Sequence, residues 1–204
     1  MLTQFSFYKY IFIIFISIVF SNDTFSSKWG HVRINNSSSN IDSRELKTII
    51  NEHIDYINFN FPKIDIAPIN VSIINDKLVK RNNIFSWSLG ITKGKNNIVI
   101  KNPSIHHISK KRFNKVVKHE LNHIYLNRLN KGNNDIPRWF SEGFCLKFAS
   151  EISLNHSLTV IKHLNDKNMF NIFDIDKNFS SKLKNDFQFG YAVSAVLINL
   201  ISDI

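Results

Sequence analysis

His119-Glu120-Leu121-Asn122-His123 lies inside a helical stretch from Ser109 to Leu129, and its reading decides the fold. On an α-helix, residues four apart stand one turn above each other, so both imidazoles can reach one ion. Glu120 sits beside them, where it can hold a water bound to that ion. Glu142 follows with 18 residues between it and His123. It lies in Trp139-Phe140-Ser141-Glu142-Gly143, on a second expected helix with Pro137 in its first turn. A third ligand from that helix completes three protein ligands with an open fourth position, the catalytic form of a zinc site. With 8 His and five Glu in 204 residues, the short motif arises by chance about once in a hundred such chains. The placed second glutamate makes coincidence rarer still.

These residues resemble the gluzincin metallopeptidases, and within them the small peptidase-MA-like domains of bacterial exported proteins. There a metal helix and a short loop precede a second helix opening Pro-x-Trp-Phe-x-Glu-Gly; here that reads Pro137-Arg138-Trp139-Phe140-Ser141-Glu142-Gly143. The resemblance is strongest over about residues 109–150 and weaker from about 66 to 200. It implies an α+β, zincin-like fold, with a small N-terminal mixed sheet packed on the motif helix and a mainly helical C-terminal half. It implies zinc (Zn2+) on His119, His123 and Glu142, with Glu120 as general base. It also implies a donor for the oxyanion from the helical half. Tyr191 leads, since the last helix opens Tyr-x-x-Ser as in the family; His156 and His163 are the alternatives. The Gly-x-Met-Glu-Asn motif of the large aminopeptidases is missing, because the two methionines are Met1 and Met169. Cys145 stands where a small residue such as Ala is expected. It reads as a buried core thiol, since free cysteine behaves as a small hydrophobe; the other reading turns it towards the metal helix.

The length suits one domain plus an export segment. Hydrophobic content of 43% and 18 Phe suffice for a sizeable core. The net charge of +10 raises the question of nucleic acid. Lys, Asn, Ile and Phe are enriched together, as in an AT-rich coding sequence, and aromatics are not interleaved with a dense basic run. No nucleic-acid partner is expected. Cys145 is the single cysteine, so no intrachain disulfide forms.

Residues 1–21 read as a secretory signal. Lys9 supplies the positive region, and Tyr10 to Phe20 is an 11-residue apolar run broken only by Ser17. Val19 and Ser21 form a cleavage box that places the cut before Asn22; an uncleaved anchor over residues 5–20 is the other reading, and the one route to a membrane. The polar Ser/Asn-rich stretch over 22–40 reads as a flexible linker, and 41–204 as the zincin-like domain.

Within that domain a helix is expected from Asp42-Ser43, with Leu46, Ile49, Ile50, His53, Ile54 and Ile57 at helical spacing, ended by Phe61-Pro62. Strands are expected over Ile69–Ile73 and Asn97–Ile100, with a turn at Lys93-Gly94-Lys95. The strand at the sheet edge is a place for an extended peptide to add. Leu78 to Trp87 gives no clear pattern. Further helices are expected at about 151–164 and 186–202. His31, His53, His106 and His107 read as solvated histidines, and His106-His107 do not share a helical face. The apolar pattern from Tyr191 to Ile201 ends without a cap, so the domain is expected to continue beyond Ile204.

The residues thus point to an exported zinc metallopeptidase acting on peptide or protein substrates. The alternative is a non-catalytic exported binding or scaffold protein that keeps the fold. Intact Glu120, the motif residue that need not bind metal, weighs against that alternative.

Overall fold

The computed structural model describes residues 21–36, 41–75, 88–130, 136–167, 171, 174–179 and 184–202. The fold is α+β, with a five-stranded mixed sheet on the N-terminal side and a mostly helical C-terminal half. The chain divides into two compact units, one up to Lys110 and one from Lys111.

The first unit is built on the strand order β1-β2-β3-β5-β4. β1 (Ser21–Ser27) and β2 (Gly30–Asn36) form an antiparallel hairpin. β3 (Ile69–Ile74) runs parallel to β2, and β5 (Asn97–Lys101) parallel to β3. β4 (Gly90–Lys93) closes the far edge antiparallel to β5. β3 alternates buried Ile69, Val71 and Ile73 with half-buried Asn70 and Ser72, while β5 is buried throughout from Ile98 to Lys101, as expected of a strand covered on both faces. Helix α1 (Ser43–Asn60) is the crossover between the parallel strands β2 and β3. The Asp42 carboxylate accepts from Arg44 N at 2.8 Å to cap its start, and Leu46, Ile49, Ile50, Ile54 and Ile57 bury its inner face.

The hairpin corrects the linker reading of 22–40 over residues 21–36. Its buried set is small: Phe25 on β1, Trp29 in the turn, and Val32 and Ile34 alternating on β2. The solvent-facing Ser, Asn, Thr and His between them give the stretch a linker's composition while the alternate positions form core. Trp29 Nε1 donates to Asn58 Oδ1 at 3.0 Å, tying the turn to α1. Gly30 has φ +108°, and a Cβ there would meet the Ala67 carbonyl at 3.0 Å, so glycine alone suits the position. His53 is a second correction, since it is buried on α1 with its ring stacked on Tyr56. His31 and His107 are exposed, as expected. The unclear stretch 78–87 and the signal segment 1–20 lie outside the described residues.

The second unit carries α2 (Lys110–Leu129), α3 (Arg138–Phe148), α4 (Leu154–Lys167), the short α5 (Ile175–Asn178) and α6 (Lys184–Ser202). α6 packs on α3 and α4. The backbones come close at Gly143, where a Cβ would lie 2.5 Å from the Ser194 carbonyl oxygen. The glycine that follows Glu142 is therefore there for backbone contact. Gly143→Ala is expected to destabilise the fold by about 1–3 kcal/mol, because two helical backbones must separate to admit one methyl group. Chemical denaturation of the two proteins checks this, and equal midpoints would show that the helices part freely. α3 begins at Arg138, and its first N–H groups have no intrahelical partner. The Asp176 carboxylate supplies one from α5, accepting from Arg138 N at 3.1 Å and Trp139 N at 2.9 Å. Among the described residues no helix is long and apolar enough to cross a membrane.

Candidate metal centre

α2 buries one broad face, including Phe113, Val116, Val117, Leu121 and Ile124. His119 and Glu120 are buried with it, while His123 keeps partial exposure. α3 brings Glu142 to the same place. Its Oε2 lies 3.4 Å from His119 Nε2 and 3.5 Å from His123 Nε2. The carboxylate is divided between two roles, since Oε1 faces the Arg138 guanidinium at 3.6 Å. Buried Oε2 accepts no hydrogen bond.

The outer nitrogens explain why both Nε2 atoms face inward. His119 Nδ1 is 3.0 Å from Glu151 Oε2, and His123 Nδ1 is 3.1 Å from Ser141 Oγ. An Nδ1–H held by an oxygen fixes the ring and leaves the Nε2 lone pair for a metal. The Glu151 side chain is itself buried and paired with Arg112 at 3.3 Å.

The placement of Glu151 follows from how α3 ends. Glu151 N donates to Leu146 O at 2.8 Å and Ser150 N to Lys147 O at 3.0 Å, with Ser150 at φ +56°. This is a Schellman termination with serine at the left-handed position that glycine usually fills. It turns the chain back so that Glu151 meets α2, and Lys115 donates to the Ser150 carbonyl across the same turn. Neither Glu151 nor Ser141 stands out in the sequence as a site residue. The scarcity of glutamate was the one available signal for Glu151; Ser141 had only its place inside the Trp-Phe-Ser-Glu-Gly stretch.

The electrostatics are those of a coupled cluster. Burial lowers the His119 pKa, but Glu142 and Glu151 more than offset it and raise it to about 10. Burial raises the Glu142 carboxyl, and the two imidazoles override this and hold it well below the usual carboxylate range. Glu151 is also lowered, its burial being outweighed first by His119 and then by Arg112 and Lys115. Tyr191 reaches the cluster from α6, with its ring centroid 6.4 Å from that of His119. Burial, the charges of Glu142 and Glu120, and a hydrogen-bonding interaction with Glu142 push its hydroxyl well above the ordinary range. It stays a neutral donor beside a carboxylate. The two alternatives are engaged elsewhere. His156 Nδ1 accepts from Ser153 N at 3.1 Å at the start of α4, and His163 stacks on Phe189 at 3.7 Å.

Cys145 is fully buried, as expected, and it also faces α2. One ligand atom from each of His119, His123 and Cys145 lie within 4.8 Å of one another. Burial, followed by the charges of Glu142, Glu120 and Glu151, pushes its thiol well up.

The donor set fits a tetrahedral zinc ion. Ligand atoms at about 2.0–2.1 Å from one ion lie about 3.3 Å apart along a tetrahedron's edge. The two nitrogen-to-oxygen separations are within 0.2 Å of that edge, and they are longer than good hydrogen bonds. Glu151→Ala is expected to lower zinc affinity by about 10–100-fold, the usual effect of losing a carboxylate behind a ligating histidine. Competition with a chromogenic chelator measures it, and Glu151→Gln should recover part of the loss. Unchanged affinity in the Ala variant would leave Glu151 as no more than a partner for Arg112.

No protein-family model matches this chain, and no curated protein matches it. The likeness to gluzincins therefore rests on the quoted residues alone.

Proposed function

We propose that this chain is an exported zinc metallopeptidase of gluzincin type that hydrolyses peptide bonds. One observation carries the reading: two imidazole Nε2 atoms, their rings held from behind by Glu151 and Ser141, converge on a buried carboxylate oxygen with no hydrogen bond. His119, His123 and Glu142 would hold the ion. Bound there, zinc supplies Lewis acidity towards a carbonyl oxygen and makes water a better nucleophile near neutral pH.

The chain's own residues do the proton work. Glu120 follows His119 directly on the buried face of α2. It accepts a proton from the attacking water and delivers it to the leaving amine, so one carboxylate serves as base and then as acid. The Tyr191 hydroxyl, kept protonated beside the cluster, donates to the oxygen on which negative charge develops. Glu151 and Ser141 orient the imidazoles and touch no reacting atom. The signal-like run from Tyr10 to Phe20 supports export, with cleavage before Asn22.

The deciding experiment is metal analysis of purified residues 22–204, followed by assay of the zinc-loaded protein on a mixed peptide library. About one zinc per chain with cleavage of some library members supports the reading. A zinc-loaded protein that cleaves nothing turns it over to the non-catalytic binding or scaffold alternative.

A further inference from the structure

Cys145 is the one side chain at the centre that peptide hydrolysis does not use. It follows Glu142 by three residues on α3, so the two side chains share a face. Its thiol is fully buried, and the Asn122 side-chain amide donates to the Cys145 carbonyl at 3.3 Å, which ties this turn of α3 to α2. A ligand atom of Cys145 and one from each histidine all lie within 4.8 Å. Glu142, whose side chain is 7% exposed, aims Oε2, which accepts no hydrogen bond, at the same imidazoles. Two donors on one helix, a hard oxygen and a soft sulfur, therefore address the same two histidines.

We propose that Cys145 is a fourth protein donor of this centre and is engaged by thiophilic divalent ions such as cadmium and cobalt. The proposal rests on the metal-centre part of the reading above. When such an ion binds, the S–H bond breaks, a metal–sulfur bond forms, and the proton passes to the buffer. With four protein donors bound the site is closed, as structural zinc sites are; with sulfur unbound the fourth position is open, as catalysis requires. The ion selects between the two, since thiolate favours soft ions and carboxylate hard ones.

The test is a cobalt titration of the full chain, read by absorption. A thiolate-to-cobalt charge-transfer band in the near ultraviolet, saturating at one cobalt per chain, is the expected result. The band has one possible source, because the chain has a single cysteine. In Cys145→Ala it should disappear while the visible bands of bound cobalt persist. If that variant fails to fold, the wild-type spectrum decides alone, joined by cadmium NMR, where a sulfur ligand moves the resonance far downfield. Cobalt bound in the wild type without the near-ultraviolet band, or a cadmium resonance in the nitrogen and oxygen range, overturns the proposal and leaves the metal centre standing. Failure to bind either ion overturns both.

Discussion

Glu120→Gln is expected to lower peptide hydrolysis by about 10²–10⁴-fold while zinc content and melting temperature stay at wild-type values. Glutamine matches glutamate in size and hydrogen-bonding reach but takes no proton from water. Glu120 is not one of the converging donors, so the substitution leaves His119, His123 and Glu142, the proposed ligands, in place. Activity and metal content should therefore separate cleanly. A comparable fall in bound zinc would instead place Glu120 among the ligands. Tyr191→Phe is the natural comparison, with an expected loss of about 10²-fold if its hydroxyl serves the developing charge. Because that hydroxyl also interacts with Glu142, the zinc affinity of the variant shows whether it orients the carboxylate as well.

His119→Ala and His123→Ala should each abolish stoichiometric zinc, since each removes one of three protein ligands and leaves the others without a tetrahedral frame. The readouts are zinc per chain by elemental analysis and the zinc-dependent rise in melting temperature, which binding to the folded state alone produces. Wild type should show both and the variants neither. A double variant that retains one zinc per chain would sink the centre as drawn. Binding should also depend on pH in one direction. His119 is raised to about 10 by its carboxylate partners, so at neutral pH its ring carries a proton that zinc must displace. Affinity should rise with pH and protons should be released, which calorimetry in two buffers of different ionisation enthalpy detects.

The centre was legible in the sequence wherever the geometry is local or repeated in a known pattern. His119 and His123 are one helical turn apart, so their convergence follows from the period alone. Glu142 was found through its Trp-Phe-Ser-Glu-Gly setting and not through distance. Glu151 was out of reach for a specific reason. The turn that aims it uses Ser150 in the left-handed conformation, and without glycine there the helix end leaves no mark. Asp176 was missed because its partners are 37 and 38 residues away along the chain. The helix α1 and strands β3 and β5 were readable from their buried periodicity. The hairpin was not, because its few core residues are diluted by serine and asparagine, and because β2 finds its parallel partner across an intervening helix.

That hairpin limits where the chain can be shortened. β2 covers one side of β3 from Val32–Ile69 to Asn36–Ile73, and β1 in turn shields β2. A cut before Asn22 removes one residue of β1 and spares the ladder. A cut at Ile41, where composition alone suggests that the ordered part begins, would strip β3 of its neighbour and turn an apolar central strand into a bare edge. Bare apolar edges recruit strands from other molecules. The described fold thus tolerates shortening only within a narrow stretch at the foot of β1, and trimming further leaves a sticky remnant in place of a smaller domain.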